Sequence, residues 1–142
     1  MATNGLLYAY DYDLDAYVPL LIDGEKVVIN SISGGRVGVG ELEPNSMLEI
    51  RGSQSGTYLA ITAVRTLDIT DYQIECTANS FTVTLPTAVG IEGRVYSIKN
   101  TGTGTITVDG NAAETIDGSL TQLLSQWDNI KIMSNNANWI II

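Results

Sequence analysis

β-branched residues come in short runs along this chain, and Gly, Asn, Asp or Ser closes each run. Thr (15), Ile (16) and Val (10) make up 41 of the 142 residues, and these side chains pack best on a pleated surface. Turn residues recur at intervals of about 8–12 positions, the spacing of short strands in a sandwich or barrel rather than of a parallel sheet with crossovers. No window of a dozen residues keeps apolar positions at a period of 3.6, so no amphipathic helix is expected. The pattern predicts an all-β protein.

Strands can be placed one by one. Leu6, Tyr8, Tyr10 and Tyr12 share one face of an extended 6–12 segment. Residues 17–22 and 26–32 flank Asp23-Gly24, a two-residue hairpin signal. The Gly-rich stretch 34–40 reads as extended and poorly packed, and Pro44-Asn45 turns the chain into the short strand Met47–Arg51. Residues 52–56, GSQSG, read as a linker. This divides the chain into an N-terminal extended and hairpin region, 1–52, and a β-sandwich-like domain, 57–142. Strands are expected at 57–64, 72–76, 80–86 and 93–100. A tight turn at 101–104 should make a hairpin into 105–109, and Asn135-Asn136-Ala137 should join 129–134 to 138–142. The segment 120–127, with Thr121 and Ser125 inside it, reads as strand rather than helix.

Composition narrows function. There is no His, which removes imidazole metal sites and His-based acid–base or triad chemistry. One Cys, Cys76, excludes an internal disulfide and a Cys-rich zinc cluster; it alternates with Ile74 and Tyr72 and reads as a small buried apolar residue. Seven basic against 16 acidic residues give a formal charge of −9, which disfavours a nucleic-acid groove. No apolar run reaches the roughly 18 residues of a membrane helix, and the N-terminus carries no basic-then-apolar secretory signal. A non-enzymatic protein without cofactors, made in a cytoplasm, is expected.

Two segments resemble proteins of tailed-bacteriophage virions. Gly35-Arg36-Val37-Gly38-Val39-Gly40, then Pro44, then Met47-Leu48-Glu49-Ile50 is similar to the short Gly-rich repeat of phage fibre proteins. Residues 81–119, with TVTLP, GRVYSIKN, TGTGTITVD and ETIDG in order, followed by the terminal Asn138-Trp139-Ile140-Ile141-Ile142, resemble a module near the C-termini of phage structural proteins. The resemblance implies a homotrimeric virion protein, a short head fibre or capsid decoration protein whose N-terminal region contacts the capsid or other virion proteins. The alternative is a host-recognition module that binds a cell-surface glycan at a fibre tip. Such a module needs exposed aromatics, and Trp127 and Trp139 both read as core residues.

Several residues are candidate sites. Tyr8, Tyr10, Tyr12 and Tyr17 cluster near the N-terminus, and Trp139, Ile140, Ile141 and Ile142 form an apolar end; both groups are candidate anchors or interfaces. Asp11, Asp13 and Asp15 would share a strand face, but the sixth residue from Asp11 is Ala16, not the Gly of a calcium loop. They read as a solvated acidic edge, not a metal site. Gly38-Val39-Gly40 and Gly102-Thr103-Gly104 lack the third Gly of a dinucleotide fingerprint and read as turns or close-packing positions. Glu114 and Asp117, a conceivable glycosidase pair, sit beside Gly118 in an expected turn.

Overall fold

The computed structural model describes residues 10–11, 16–17 and 36–142. All regular structure among them is β, and the chain divides between Gln54 and Ser55 into two compact units.

Among its described residues the first unit holds two small ladders. β1 (Tyr10–Asp11) pairs antiparallel with β2 (Ala16–Tyr17), placing Tyr10 opposite Tyr17 and Asp11 opposite Ala16. β3 (Val37–Val39) pairs parallel with β4 (Leu48–Ile50), Val37 beside Leu48 and Val39 beside Ile50. Parallel neighbours usually need a longer crossover than this one. Glycine makes the short return possible: a β-carbon on Gly38 would run into the Glu41 carbonyl, and Gly40 turns the chain at φ 71°. The expected Asp23-Gly24 hairpin lies outside the described residues, as do Asp13 and Asp15. Asp11 lies across a ladder from Ala16.

The second unit contains nine strands: β5 (Tyr58–Ile61), β6 (Arg65–Thr66), β7 (Gln73–Cys76), β8 (Thr82–Thr84), β9 (Val95–Asn100), β10 (Ile106–Asp109), β11 (Thr121–Leu124), β12 (Asn129–Ser134) and β13 (Trp139–Ile141). They form a five-stranded sheet in the order β13-β12-β9-β7-β5 and a four-stranded sheet in the order β11-β10-β8-β6. From β5 to β10 the chain gives one strand to each sheet in turn, so three successive coils stack in parallel register: β5 on β7 on β9, and β6 on β8 on β10. The last three strands pair antiparallel, β11 on β10, β12 on β9 and β13 on β12.

Two sheets around one core agree with the two-layer expectation, but the pairing does not. The ladders from β5 to β10 are parallel, and the turn at 101–104 is not a hairpin; it carries the chain from one sheet to the other. Parallel sheets usually announce themselves as continuous apolar runs because both faces are covered. Here one face of each strand stays outward, so the sequence alternates just as an antiparallel strand would. The hairpin at 135–137 does form, with Asn136 at φ 71°. The segment 120–127 is strand, as β11.

The inward face of every coil meets the others in one cluster. Ile61, Ile74, Cys76, Tyr96, Ile98, Ile130, Ile132 and Trp139 come from the larger sheet, and Val83, Ile106, Val108 and Leu124 from the smaller. Fully burying one Ile, Leu or Val contributes about 1.5–3 kcal/mol, so this alternation is what holds the coils together. Trp139 packs its indole on Tyr96, ring centroids 5.6 Å apart at 48°. The 101–104 crossing is fixed by close packing. Gly102 is buried against the Ala78 backbone, where a β-carbon would lie 2.8 Å from the carbonyl carbon. Asn79 Oδ1 accepts from the amides of Thr103 and Gly104 at 2.8 and 3.0 Å. At the first coil, Asp71 is almost wholly buried and accepts from Arg65 Nη2 at 2.9 Å and from the Asp68 amide at 2.9 Å.

Candidate functional site

Strand alternation sends every second residue of the larger sheet outward, and the parallel register lines those residues up across strands. Tyr58, Gln73 and Ser97 form one row, and Ala60, Glu75 and Lys99 the next. Tyr58, Gln73, Ile74, Glu75, Ser97 and Lys99 enclose an open cavity of about 220 Å³ on this face. Ala60 contributes almost no side chain, which leaves room beside Glu75.

The charged groups of this shelf are held by neutral partners. The Tyr58 hydroxyl donates to Glu75 Oε2, and the Thr101 hydroxyl donates to Glu75 Oε1 at 2.8 Å. Those two hydrogen bonds, Tyr58 first, hold the Glu75 carboxyl below its ordinary value. The same bond, with the carboxylate charge, pushes the Tyr58 phenol up. Lys99 Nζ donates to the Trp127 carbonyl. Glu75 and Lys99 are direct neighbours in the β7–β9 register, yet they form no ion pair among the described residues. Each keeps hydrogen-bonding capacity for something else.

Two aromatic side chains are exposed here, Tyr58 on the shelf and Trp127 in the β11–β12 turn whose carbonyl holds Lys99. Tyr58 is 61% exposed and Trp127 64%. The expectation that Trp127 belongs to the core is wrong. It sits in a tight turn at φ 72°, where its amide donates to Asn100 and Asp128 caps the turn by accepting from Ser125. That backbone points the indole away from the sheets, and alternation counted along 120–127 could not register the turn. Trp139 is fully buried and serves the core.

The other candidates separate. Tyr8 and Tyr12 lie outside the described residues, and Tyr10 and Tyr17 are paired across β1 and β2. At the C-terminal end Ile140 is half-buried, while Ile141 and Ile142 remain exposed. Glu114 accepts from the Thr87 hydroxyl at 2.6 Å and the Ala88 amide at 2.8 Å, and Asp117 accepts from the Ile141 amide at 3.1 Å; both carboxylates hold loops. Cys76 is buried, and burial together with the Glu75 charge pushes its thiol up to about 11. No group of three metal-ligating side chains occurs among the described residues.

A second surface stands out in the first unit. Val39, Leu42, Met47, Leu48 and Ile50, on or between β3 and β4, are all exposed. Comparison of the chain with protein-family models, curated proteins and solved structures returned no match.

The sequence does not single out Tyr58, Glu75 or Lys99, and it reads Trp127 as core. Each strand's alternation shows Tyr58, Glu75 and Lys99 facing away from the core. Which strands lie side by side, and so which outward residues meet, depends on the parallel winding that alternation does not report.

Proposed function

We propose that this protein is a non-enzymatic structural component of a tailed-phage virion, a short head fibre or capsid decoration protein assembling as a homotrimer. The observation that carries the self-association is the exposed apolar ladder of β3 and β4. A two-stranded ladder is marginal by itself in water, and parallel strands are ordinarily covered on both faces. Here five large apolar side chains, Val39, Leu42, Met47, Leu48 and Ile50, stand uncovered on it, in the same segment that resembles the fibre repeat. Copies of the chain packing these residues together would bury them and pair the open strand edges.

In this reading the first unit mediates assembly and attachment and the second supplies a folded, surface-bearing domain. The resemblance of residues 81–119 and of the terminal strand 138–142 to the phage C-terminal module supports the virion context. Light scattering on the purified full chain tests the association. A particle of three times 15.2 kDa is expected, and a monomer at micromolar concentration would overturn it. Localisation of the chain on intact particles tests the context, the expected outcome being regular copies on the head.

A further inference from the structure

We propose that the outward shelf of β5, β7 and β9 is a binding site for a neutral pyranose sugar. The proposal does not depend on how the chain assembles, since the shelf lies wholly within the second unit.

A pyranose presents an apolar C–H face and a rim of hydroxyls that both donate and accept. Recognition therefore calls for an exposed aromatic surface beside fixed polar groups of both kinds in a shallow cavity. The shelf supplies each of these. Tyr58 is exposed yet immobilised, because its hydroxyl is engaged by Glu75. Glu75 is an acceptor held in place by two donors, Lys99 a donor held by the Trp127 carbonyl, and Gln73 and Ser97 add groups that do both. The cavity, at about 220 Å³, falls below the roughly 300–1,000 Å³ of sites that engulf drug-sized ligands, which suits a single ring lying on a surface.

Charge selects among sugars. Glu75 and Lys99 are adjacent and opposite in sign, so the residues lining the cavity carry no net charge, and Lys131, next after Ser97 in the same outward row, places a single positive charge at its edge. The whole chain carries −9, which repels acidic sugars. Trp127 adds a second argument. A bulky residue held at positive φ with its indole in solvent contributes little to the fold and carries a backbone cost. A large aromatic placed there, in the turn that fixes Lys99, fits a contact surface better than a structural role.

The test is saturation-transfer NMR on the full chain. The probes are the methyl α- and β-glycopyranosides of glucose, galactose, mannose, N-acetylglucosamine and N-acetylgalactosamine, with N-acetylneuraminic acid as the acidic arm. At least one neutral glycoside should receive saturation at its ring C–H protons, with affinity in the millimolar range. Glu75→Gln and Tyr58→Ala should each weaken that binding about tenfold or more, the effect of losing a hydrogen bond to a charged group or the aromatic face. Asp109→Asn, on the smaller sheet and away from the cavity, should leave binding unchanged, and all three variants should still unfold cooperatively within a few degrees of the parent. Three results would overturn the proposal: no transfer to any neutral glycoside at about 10 mM, transfer confined to the acidic sugar, or transfer unaffected by both Glu75→Gln and Tyr58→Ala.

Discussion

Asn100, at the end of β9, ties the two sheets together: its Nδ2 donates to the Leu124 carbonyl at 2.9 Å and to the Gly104 carbonyl at 2.8 Å. Leu124 belongs to the smaller sheet and Asn100 to the larger, so one buried amide clamps the place where the chain crosses between them. Removing it strands two carbonyls. Asn100→Ala should therefore cost about 2–4 kcal/mol, which lowers Tm by about 8–32 °C for a domain of 60–100 residues. Asn100→Asp should fare no better, because a carboxylate cannot donate to either carbonyl. Thermal denaturation of the two variants checks this, and an Asp variant of parent stability would show that the clamp is not what holds the crossing.

Gly102 sits in the same crossing with no room for a side chain. A β-carbon there would lie 2.8 Å from the Ala78 carbonyl carbon and closer still to its oxygen, and both are backbone atoms that cannot swing aside. Gly102→Ala should lose about 1–3 kcal/mol, the usual cost of overpacking. Gly90→Ala has open space around its β-carbon and carries only the strain of φ 80°, so it should lose about 1 kcal/mol. Chemical denaturation of the two variants should rank them in that order.

Trp127 gives the opposite sign. At φ 72° an L-residue carries about 1–2 kcal/mol of backbone strain that glycine does not, and a 64%-exposed indole gives little back. Trp127→Gly should leave Tm unchanged or raise it by a few degrees. A marked loss of stability would mean that the indole packs usefully on its own fold.

How far the fold was legible can be judged from these residues. Val83, Ile98, Ile106 and Ile132 lie on faces that alternation assigns to the interior, and all four are fully buried. The hairpin at Asn136 follows from residues that accept positive φ. What alternation could not supply is the order of strands. A half-covered parallel coil and an antiparallel sandwich strand leave the same period-two signature, so the register that brings Tyr58, Glu75 and Lys99 together stayed hidden. Gly102-Thr103-Gly104 was readable as close packing, but not as a crossing between sheets.

The Tyr58–Glu75 bond has a pH signature. The folded Glu75 carboxyl lies below its ordinary 4.5 because Tyr58 and then Thr101 donate to it. A group whose folded pKa is depressed stabilises the fold above its unfolded pKa and loses that contribution as pH falls through the lower folded value. The small stabilisation should therefore be intact at neutral pH and fade only below the ordinary glutamate range. Carbon-detected NMR titration of the Glu75 carboxyl should give a midpoint under 4.5, and Tyr58→Phe should move it upward. A midpoint unmoved by Tyr58→Phe would show that the hydroxyl does not hold the carboxylate.

Cutting the chain between its two units separates folding from association. The core of the second unit draws all its members from residues 61–139, and the Gln73 amide already reaches back to the Thr57 carbonyl at 2.9 Å. A fragment of residues 55–142 should therefore unfold cooperatively with a Tm close to that of the full chain. It lacks Val39, Leu42, Met47, Leu48 and Ile50, whose exposure in the first unit carries the self-association, so it should run as a monomer. Leu48→Asp together with Ile50→Asp in the full chain should give the same dissociation with the second unit still folded, because the charge cannot be buried between copies without a partner. A trimeric 55–142 fragment would move the contact to the second unit, where Leu120, Leu123, Ile141 and Ile142 are among the exposed apolar residues available to make it.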